Sequence, residues 1–353
     1  DPLSAFARVE LTLVDGEVEF QRRDAFELES RMGAVTPLQE TLGSFEGLRT
    51  DAPAFALVGG TLHTVTATDI ENGTLVVRDG RIVALGKEVE IPADATRIDV
   101  TGLHVWPGMI SLNSALGLQE IGSVRATIDS AEIGGNQPDL RVSAALNADS
   151  AHIAVTRQNG ITRAQPAPQG GGPIRGQSAV VSLLGDTWEE LLLRDRDMLH
   201  VSFPSAPNVA KEKKEPEGVK ELRQIFEDAR EHGRMLEEAE SSLAPRPPHD
   251  ARLEALAPFA RGVKRVALHA ENAQTILYAL KFAQEQKLDA VLYGAREAWK
   301  VADVLARESI PVVVGPIWSL PSDEYDPYDA VFANPAVLHR AGVPFAIMTA
   351  DSE

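Results

Sequence analysis

The 353-residue sequence contains no cysteine, which excludes disulfides, thiolate–zinc sites and a cysteine nucleophile. It has no continuous run of about 18 apolar residues, so no membrane-spanning helix is predicted. Basic side chains are in the minority, since 34 Lys and Arg stand against 52 Asp and Glu for a net charge of −18. No basic cluster is interleaved with aromatic residues, and an acidic surface repels phosphate backbones. Nucleic acid is therefore not an expected partner.

An initiator methionine and a signal peptide are also missing, because the chain opens on Asp-Pro-Leu-Ser and ends directly after an apolar run. We expect a piece of a longer protein and make no prediction of localisation. The length is enough for two average domains, or for one large barrel with an appendage.

Residues 1–24 alternate apolar and polar side chains and carry Asp15-Gly16, a signal for a β-hairpin turn. The polar stretch 25–52 is predicted to be a partly helical linker. Residues 53–103 contain three short strand patterns separated by two turn signals, Glu71-Asn-Gly and Arg78-Asp-Gly. This part predicts a small, incomplete β-sandwich.

Residues 104–353 alternate apolar, strand-like runs with helical patterns, which predicts an α/β fold. Eight such runs favour a parallel sheet closed into a (β/α)8 TIM barrel, with an open doubly wound sheet of five or six strands as the alternative. In a barrel the functional side chains lie at the carboxyl ends of the strands. The predicted strands are 104–111, 161–166, 178–184, 198–203, 263–270, 289–294, 311–316 and 345–351.

The charged stretch 211–240 is predicted to be a solvated, amphipathic helical insertion rather than a binding surface. Its apolar residues recur at spacings of three and four. They are Val219, Leu222, Phe226 and Ala229.

The strand ends carry few metal ligands. A hydrolytic zinc site needs three or four imidazole or carboxylate ligands with one position open for water. His269 after the fifth strand and Asp351 after the eighth are the two strong candidates. On chemistry alone, these two ligands do not make a complete metal site.

Several segments together resemble the opening of the amidohydrolase superfamily, in particular its imidazolonepropionase-like branch. They are LVGGTLHTVTA, LVVRDGRIVALG and DVTGLHVWPGMI, in this order. The similarity continues through VTRQNGITRAQ, ALHAENAQTI and FAIMTADS, and so covers about residues 53–353. It implies descent from metal-dependent hydrolases of amide and other C–N bonds, with zinc or another divalent metal as cofactor.

Position by position, the resemblance makes His269 the strand-five ligand and Asp351 the metal-bound residue that accepts the proton of the attacking water. The family's strand-one His-x-His pair falls on Asn113 and Ala115, and its strand-six His falls near Tyr293. Asn and Tyr bind transition metals weakly and Ala does not bind them. The resemblance thus implies a degenerate copy in which the metal is weakly bound or absent and the remaining ligands are vestigial. A His269 that is simply hydrogen-bonded is the alternative.

Residues 1–24 resemble the end of an amidohydrolase, where a last strand pair closes the β-sandwich after the barrel. An end before a beginning implies two amidohydrolase units in tandem, with a sister unit in the same chain. An ordinary extra hairpin is the alternative.

The Gly-rich loop 166–181 lacks the Gly-Lys-Ser/Thr of a phosphate-binding P-loop, and Ser178 lacks the second glycine of a nucleophile elbow. At the top of a barrel this loop could still contact a small-molecule substrate through Arg175 and Gln177. An acidic loop follows the first strand, and it is either solvated or supplies oxygen ligands for an ion. Its carboxylates are Glu120, Asp129, Glu132 and Asp139.

Two functions follow from these patterns: a C–N hydrolase with a reduced metal site, or a non-catalytic barrel that supports an active sister unit or binds a small ligand. Neither pattern settles whether the chain forms a homo-oligomer.

Overall fold

The computed structural model describes residues 11–14, 17–21, 25–26, 53–170, 172–205, 215–242 and 244–349. Its contacts divide the chain into two compact units. The smaller unit is Ala34–Met109, and the larger combines Asp1–Gly33 with Ile110–Glu353. The boundaries predicted from the sequence, at residues 24, 52 and 103, stay predictions.

The N-terminal hairpin consists of strands β1 (Leu11–Val14) and β2 (Glu17–Gln21), which pair antiparallel with Val14 opposite Glu17. The predicted turn residues, Asp15 and Gly16, lie outside the described residues. That this hairpin ends an upstream unit stays a prediction.

The described part of the smaller unit is one five-stranded sheet, with strand order β5-β4-β3-β6 and a further pairing of β7 with β3. β3 pairs antiparallel with β4, and β4 with β5, whereas β6 and β7 run parallel to β3. The predicted β-sandwich would need a second, stacked sheet and stays a prediction. The strands are β3 (Ala54–Leu62), β4 (Ile70–Arg78), β5 (Arg81–Gly86), β6 (Thr96–Asp99) and β7 (His104–Val105).

One of the two predicted turns in this sheet forms as expected. Asp79 and Gly80 join β4 to β5 with φ values of 49° and 70°, the left-handed conformation that two-residue hairpin turns require. The other prediction was wrong, because Asn72 and Gly73 lie inside β4. Asn72 has a φ of 52°, and the register with β3 shifts there. Asn-Gly therefore forms an irregularity within a strand instead of a turn.

Besides the N-terminal hairpin, the described part of the larger unit contains ten strands and seven helices. The strands are β8 (Met109–Ser114), β9 (Ile161–Pro166), β10 (Ile174–Gln177), β11 (Val180–Ser182), β12 (Leu192–Arg194), β13 (Met198–Ser202), β14 (Arg265–Ala270), β15 (Ala290–Gly294), β16 (Val312–Val314) and β17 (Phe345–Ile347). The helices are α1 (Ala151–Gln158), α2 (Trp188–Leu191), α3 (Glu217–Ser241), α4 (Ala251–Ala260), α5 (Ala273–Gln286), α6 (Ala302–Glu308) and α7 (Ala330–Ala341). Short 3-10 turns occupy Arg125–Thr127, Val142–Ala144 and Ala298–Val301.

These strands form two sheets, ordered β10-β13-β14-β15-β16-β17 and β12-β11-β9-β8. From β13 to β17 every neighbouring pair is parallel. β10 runs antiparallel to β13, and β11 runs antiparallel to both β9 and β12. The expectation of a parallel strand over 178–184 was therefore wrong in direction. The chain between β9 and β11 holds no crossover helix, and parallel neighbours need a crossover of about a dozen or more residues.

The two sheets share an interior. Leu112 of β8 packs against an apolar cluster that includes Tyr293 of the other sheet. The Tyr293 hydroxyl donates a hydrogen bond to Gln165 Oε1 of β9 at 2.9 Å, so it joins the sheets a second time. The fold is thus mixed α/β with two sheets around a common core. Complete closure into a barrel stays a prediction.

Helix α3 confirms the predicted helical stretch, with Val219, Leu222, Phe226 and Ala229 all buried. These side chains belong to the largest apolar core, which lies between the parallel strands and α3 to α7. In the described residues no helix has the length and apolar character needed to cross a membrane.

Candidate functional site

The parallel register brings side chains of three neighbouring strands into one row. Ser202 of β13 is opposite His269 of β14, and His269 is opposite Tyr293 of β15. Since side chains alternate between the faces of a strand, His200 lies on the same face as Ser202, two residues earlier. This face is the one turned to the shared interior, because Tyr293 packs there.

His200 and His269 form a hydrogen-bonded pair, with 3.0 Å between His200 Nδ1 and His269 Nε2. Burial lowers the pKa of His200 to about 3, and the positive charge of Arg175 acts in the same direction. Burial also holds the pKa of His269 well below its usual value, assisted by His200 and Arg175. Both rings are therefore neutral at pH 7. The second nitrogen of His200, Nε2, is buried without a hydrogen-bond partner.

Tyr293 closes one side of this pair. Its side chain is 1% exposed, and burial raises the pKa of its phenol to about 12. Its hydrogen-bond acceptor, Gln165, in turn donates from Nε2 to Asp197 Oδ2 at 3.2 Å. Tyr293 is thus a neutral phenol held by a buried polar network, and its hydroxyl proton is committed to Gln165.

The strand-one positions divide between two environments. Asn113 has a φ of 52°, and its Oδ1 is buried without a partner. Ala115 instead lines a separate cavity of about 510 Å³, together with Ser111, Glu120 and His152. Neither His200 nor His269 lines this cavity.

The Gly-rich loop supplies one side chain to the interior. Arg175 Nε donates to Ser202 Oγ at 2.6 Å, which places the guanidinium beside the row of Ser202 and His269. Gln177 is buried, donates from Nε2 to the Pro138 carbonyl at 2.6 Å, and leaves Oε1 without a partner. Arg175 is thus part of the site, whereas Gln177 fixes the loop.

Glu271 and Arg296 complete the charged groups around the strand ends. Burial raises the pKa of the Glu271 carboxyl, while Arg296 and, more weakly, Arg175 oppose that shift. Glu271 lies directly over Gly294, where an added Cβ would come within 2.2 Å of Glu271 Oε1. Gly294, with a φ of 83°, is therefore required for this approach.

A metal ion needs three or four ligands, and the described part of the site does not gather them. Within the described ranges no group of three or more His, Asp or Glu side chains could hold one. His200 and His269 direct nitrogens at each other, and the neighbouring Tyr293 is a neutral phenol. Asp351 lies outside the described residues, so its predicted role stays a prediction.

The carboxylates of the acidic loop after the first strand do not form a metal-binding group among the described residues either. Glu120 accepts a hydrogen bond from Asn147 Nδ2 at 3.2 Å, and its backbone carbonyl is 2.8 Å from His152 Nε2. Its predicted partners, Asp129, Glu132 and Asp139, do not join it in a metal-binding group among the described residues.

Three residues of this site were missed from the sequence: His200, Glu271 and Arg296. A signal existed for His200, because it stands inside the predicted strand 198–203, two residues before Ser202, and so shares a face with Ser202. Glu271 stands two residues after His269, just past the strand end. No comparable signal pointed to Arg296, since it follows the strand in an irregular segment.

The chain was also compared with known proteins. No protein-family model and no curated protein matches it. Among solved structures, an amidohydrolase from Thermotoga maritima is similar with a TM-score of 0.73 and 24% identity, over 84% of this chain and 78% of that chain.

An ochratoxinase from A. niger gives a TM-score of 0.43 at 13% identity, over 85% and 76% of the two chains. A β-aspartyl dipeptidase from Fervidobacterium islandicum gives 0.40 at 13%, over 86% and 74%. The first similarity shows the fold.

Proposed function

We propose that the chain is an amidohydrolase-type unit, a hydrolase of C–N bonds by descent, in which most metal-ligand positions have been replaced. The observation that carries the proposal is the state of Tyr293. At the position where the family places a strand-six imidazole, a neutral phenol is hydrogen-bonded to Gln165. The similarity to the Thermotoga maritima amidohydrolase supports the descent.

In this proposal His269 is a vestigial ligand and Asp351 is the catalytic base inherited from the family. Asn113, Ala115 and Tyr293 occupy lost ligand positions. A sister unit in the same chain and a small-molecule ligand are the proposed partners. Zinc or another divalent ion would bind weakly, because one imidazole and one carboxylate hold such an ion poorly.

The test compares the chain with a restored variant that carries Asn113→His, Ala115→His and Tyr293→His. Zinc per chain is measured by elemental analysis after dialysis, and hydrolysis is measured on N-acyl amino acids and cyclic amides. We expect the parent to retain well under one zinc, and the variant to bind zinc orders of magnitude more tightly, since each neutral imidazole adds a bond of about 2.0–2.1 Å. Tyr293→Phe serves as the control for removing the phenol alone.

If the restored variant hydrolyses a C–N bond, adding Asp351→Asn should abolish that activity, because the base would be lost. About one zinc per chain in the parent would contradict the loss of the ligands. A folded triple variant that binds no more zinc than the parent would contradict the retained geometry.

A further inference from the structure

Many arginines of the described chain hydrogen-bond to a carboxylate, but two arginines near the strand ends do not. Arg223, Arg234 and Arg265, for example, each contact a carboxylate at 2.6–3.2 Å. Arg175 and Arg296 have no carboxylate within 4.0 Å in the part of the chain that the structure describes. In a chain with 52 acidic residues, the lack of an ion partner for two inward-placed guanidinium groups calls for an explanation.

A hydrogen bond fixes the position of Arg175, but no carboxylate among the described residues lies close enough to neutralise its charge. Its Nε donates to Ser202 Oγ at 2.6 Å, which leaves the two terminal nitrogens of the guanidinium without a hydrogen bond from the described protein. Burial lowers the pKa of this guanidinium, a sign that its charge is costly where it lies. A desolvated cation of this kind is stabilised by an anion that reaches its free edge.

Arg296 also lacks a partner at one nitrogen, because its Nε is buried without a hydrogen bond. Glu271 lies within the electrostatic reach of both arginines.

We infer that the strand ends bind the carboxylate of a small molecule, with Arg175 as the residue that receives it and Ser202 as the residue that orients Arg175. The planar edge of a guanidinium matches the two oxygens of a carboxylate, which it binds with two parallel hydrogen bonds. Ser202 holds Nε, which leaves the edge formed by the two terminal nitrogens for one carboxylate.

This inference goes beyond the proposed hydrolysis, because binding requires neither a metal nor turnover. It shares only the location with the proposed function. Failure of the two proposals is therefore distinguishable: binding is measured at equilibrium on the metal-free chain, whereas hydrolysis is measured on the zinc-loaded restored variant.

The experiment uses N-acetylglycine as probe, with its uncharged amide, N-acetylglycinamide, and inorganic phosphate as comparisons. Binding to the full chain is measured by titration calorimetry. We expect N-acetylglycine to bind saturably and more tightly than either comparison compound. Arg175→Gln should weaken it about tenfold or more, the effect of losing hydrogen bonds to a charged group. Arg81→Gln, at an exposed position in the smaller unit, is the matched control and should leave the affinity unchanged.

A second measurement separates binding from a structural role of Arg175. Without probe, the Tm of Arg175→Gln should equal or exceed that of the parent, because a desolvated charge has been removed. Glu271→Gln should tighten binding of N-acetylglycine, because a competing carboxylate is lost. A lower Tm in both Arg175→Gln and Ser202→Ala, without any effect on probe binding, would overturn the inference. So would equal affinity for acid and amide, tighter binding of phosphate, or no binding at all.

Discussion

The two sheets of the larger unit differ in how regularly they are built. From β13 to β17 each strand is parallel to the next, and the helices α3 to α7 pack into one core of 30 buried apolar residues. The sheet β12-β11-β9-β8 contains antiparallel strand pairs, and the apolar cluster that includes Ala164 of β9 has 7 buried members among the described residues. The candidate site is formed mainly by the ends of the parallel strands, and the irregular sheet contributes Gln165. The parallel strands therefore position most of the polar groups, and the irregular sheet adds a hydrogen-bond partner to them.

The largest expected effect tests whether the regular part carries most of the stability. Phe226 is fully buried on α3 and meets the Phe282 ring edge-on at 5.5 Å. Phe226→Ala should lower the free energy of unfolding by about 3–5 kcal/mol, the cost of a large cavity in a tight core. Leu183→Ala, in the smaller cluster, should cost about 2–3 kcal/mol, because its surroundings can relax more easily.

Urea unfolding followed by circular dichroism measures both losses. Val155→Ala, exposed on α1, is the control and should change the free energy of unfolding by less than about 0.5 kcal/mol. Equal losses for Phe226→Ala and Leu183→Ala would break the comparison between the two parts.

Acid should destabilise the site through its buried imidazoles. The pKa of His200 is about 3 in the folded chain and about 6.5 when unfolded, so the unfolded state binds more protons below pH 6.5. The stability from this group is complete above that pH and is lost as pH falls toward 3. Between pH 8 and pH 5 we expect His200 to account for a loss of about 2 kcal/mol, with His269 acting in the same direction.

The measurement is urea unfolding at several pH values for the parent and His200→Asn. The difference between the two curves should shrink as the pH falls. His339→Asn, at an exposed position of α7, gives the effect of removing an imidazole elsewhere. A difference that stays constant from pH 8 to pH 5 would show that His200 does not carry the acid sensitivity.

The parallel and the irregular sheet also differ in how well the sequence predicts them. The strands from β13 to β17 and helix α3 were found from period alone, because apolar residues at strand or helix spacing are buried there as the pattern requires. The direction of β11 was not, although the sequence held the information. PAPQGGGPIRGQ has no helical period, and parallel neighbours are usually connected through a helix.

The site was only partly predictable, for a different reason. His269 and Tyr293 were placed by strand position, and register then made them neighbours. The partner of His269 depends on which face of a second strand carries His200, and the raised pKa of Glu271 comes from desolvation by surrounding chain that no local pattern encodes. Pairwise contacts between distant segments, such as Tyr293 with Gln165, cannot be read from either segment alone.

A smaller effect tests the link between the two sheets. Tyr293→Phe removes the hydrogen bond to Gln165 and leaves a buried amide oxygen without its donor. We expect a loss of about 1–3 kcal/mol in the free energy of unfolding. Tyr325→Phe, with 86% of the residue exposed, is the control and should have almost no effect. A neutral result for Tyr293→Phe would mean that water replaces the phenol at Gln165.

The smallest effects concern the helix caps of the two parts. Asn272 Oδ1 accepts from the Thr275 amide at 2.8 Å at the start of the 14-residue helix α5, whereas Thr187 Oγ1 accepts from the Glu190 amide at 3.3 Å before the 4-residue helix α2. Asn272→Ala should cost about 1 kcal/mol, because an orphan amide at a buried helix start loses its acceptor.

Thr187→Ala should cost less than Asn272→Ala, since its hydrogen bond is longer and α2 is a single turn with mostly exposed residues. Both losses are measured by urea unfolding, and Asn272→Ser and Thr187→Ser, which each keep a side-chain acceptor, should recover most of the stability. A Thr187→Ala loss as large as that of Asn272→Ala would show that the irregular sheet depends on its local hydrogen bonds as strongly as the parallel sheet does, and the contrast between the two parts would then lie in apolar packing alone.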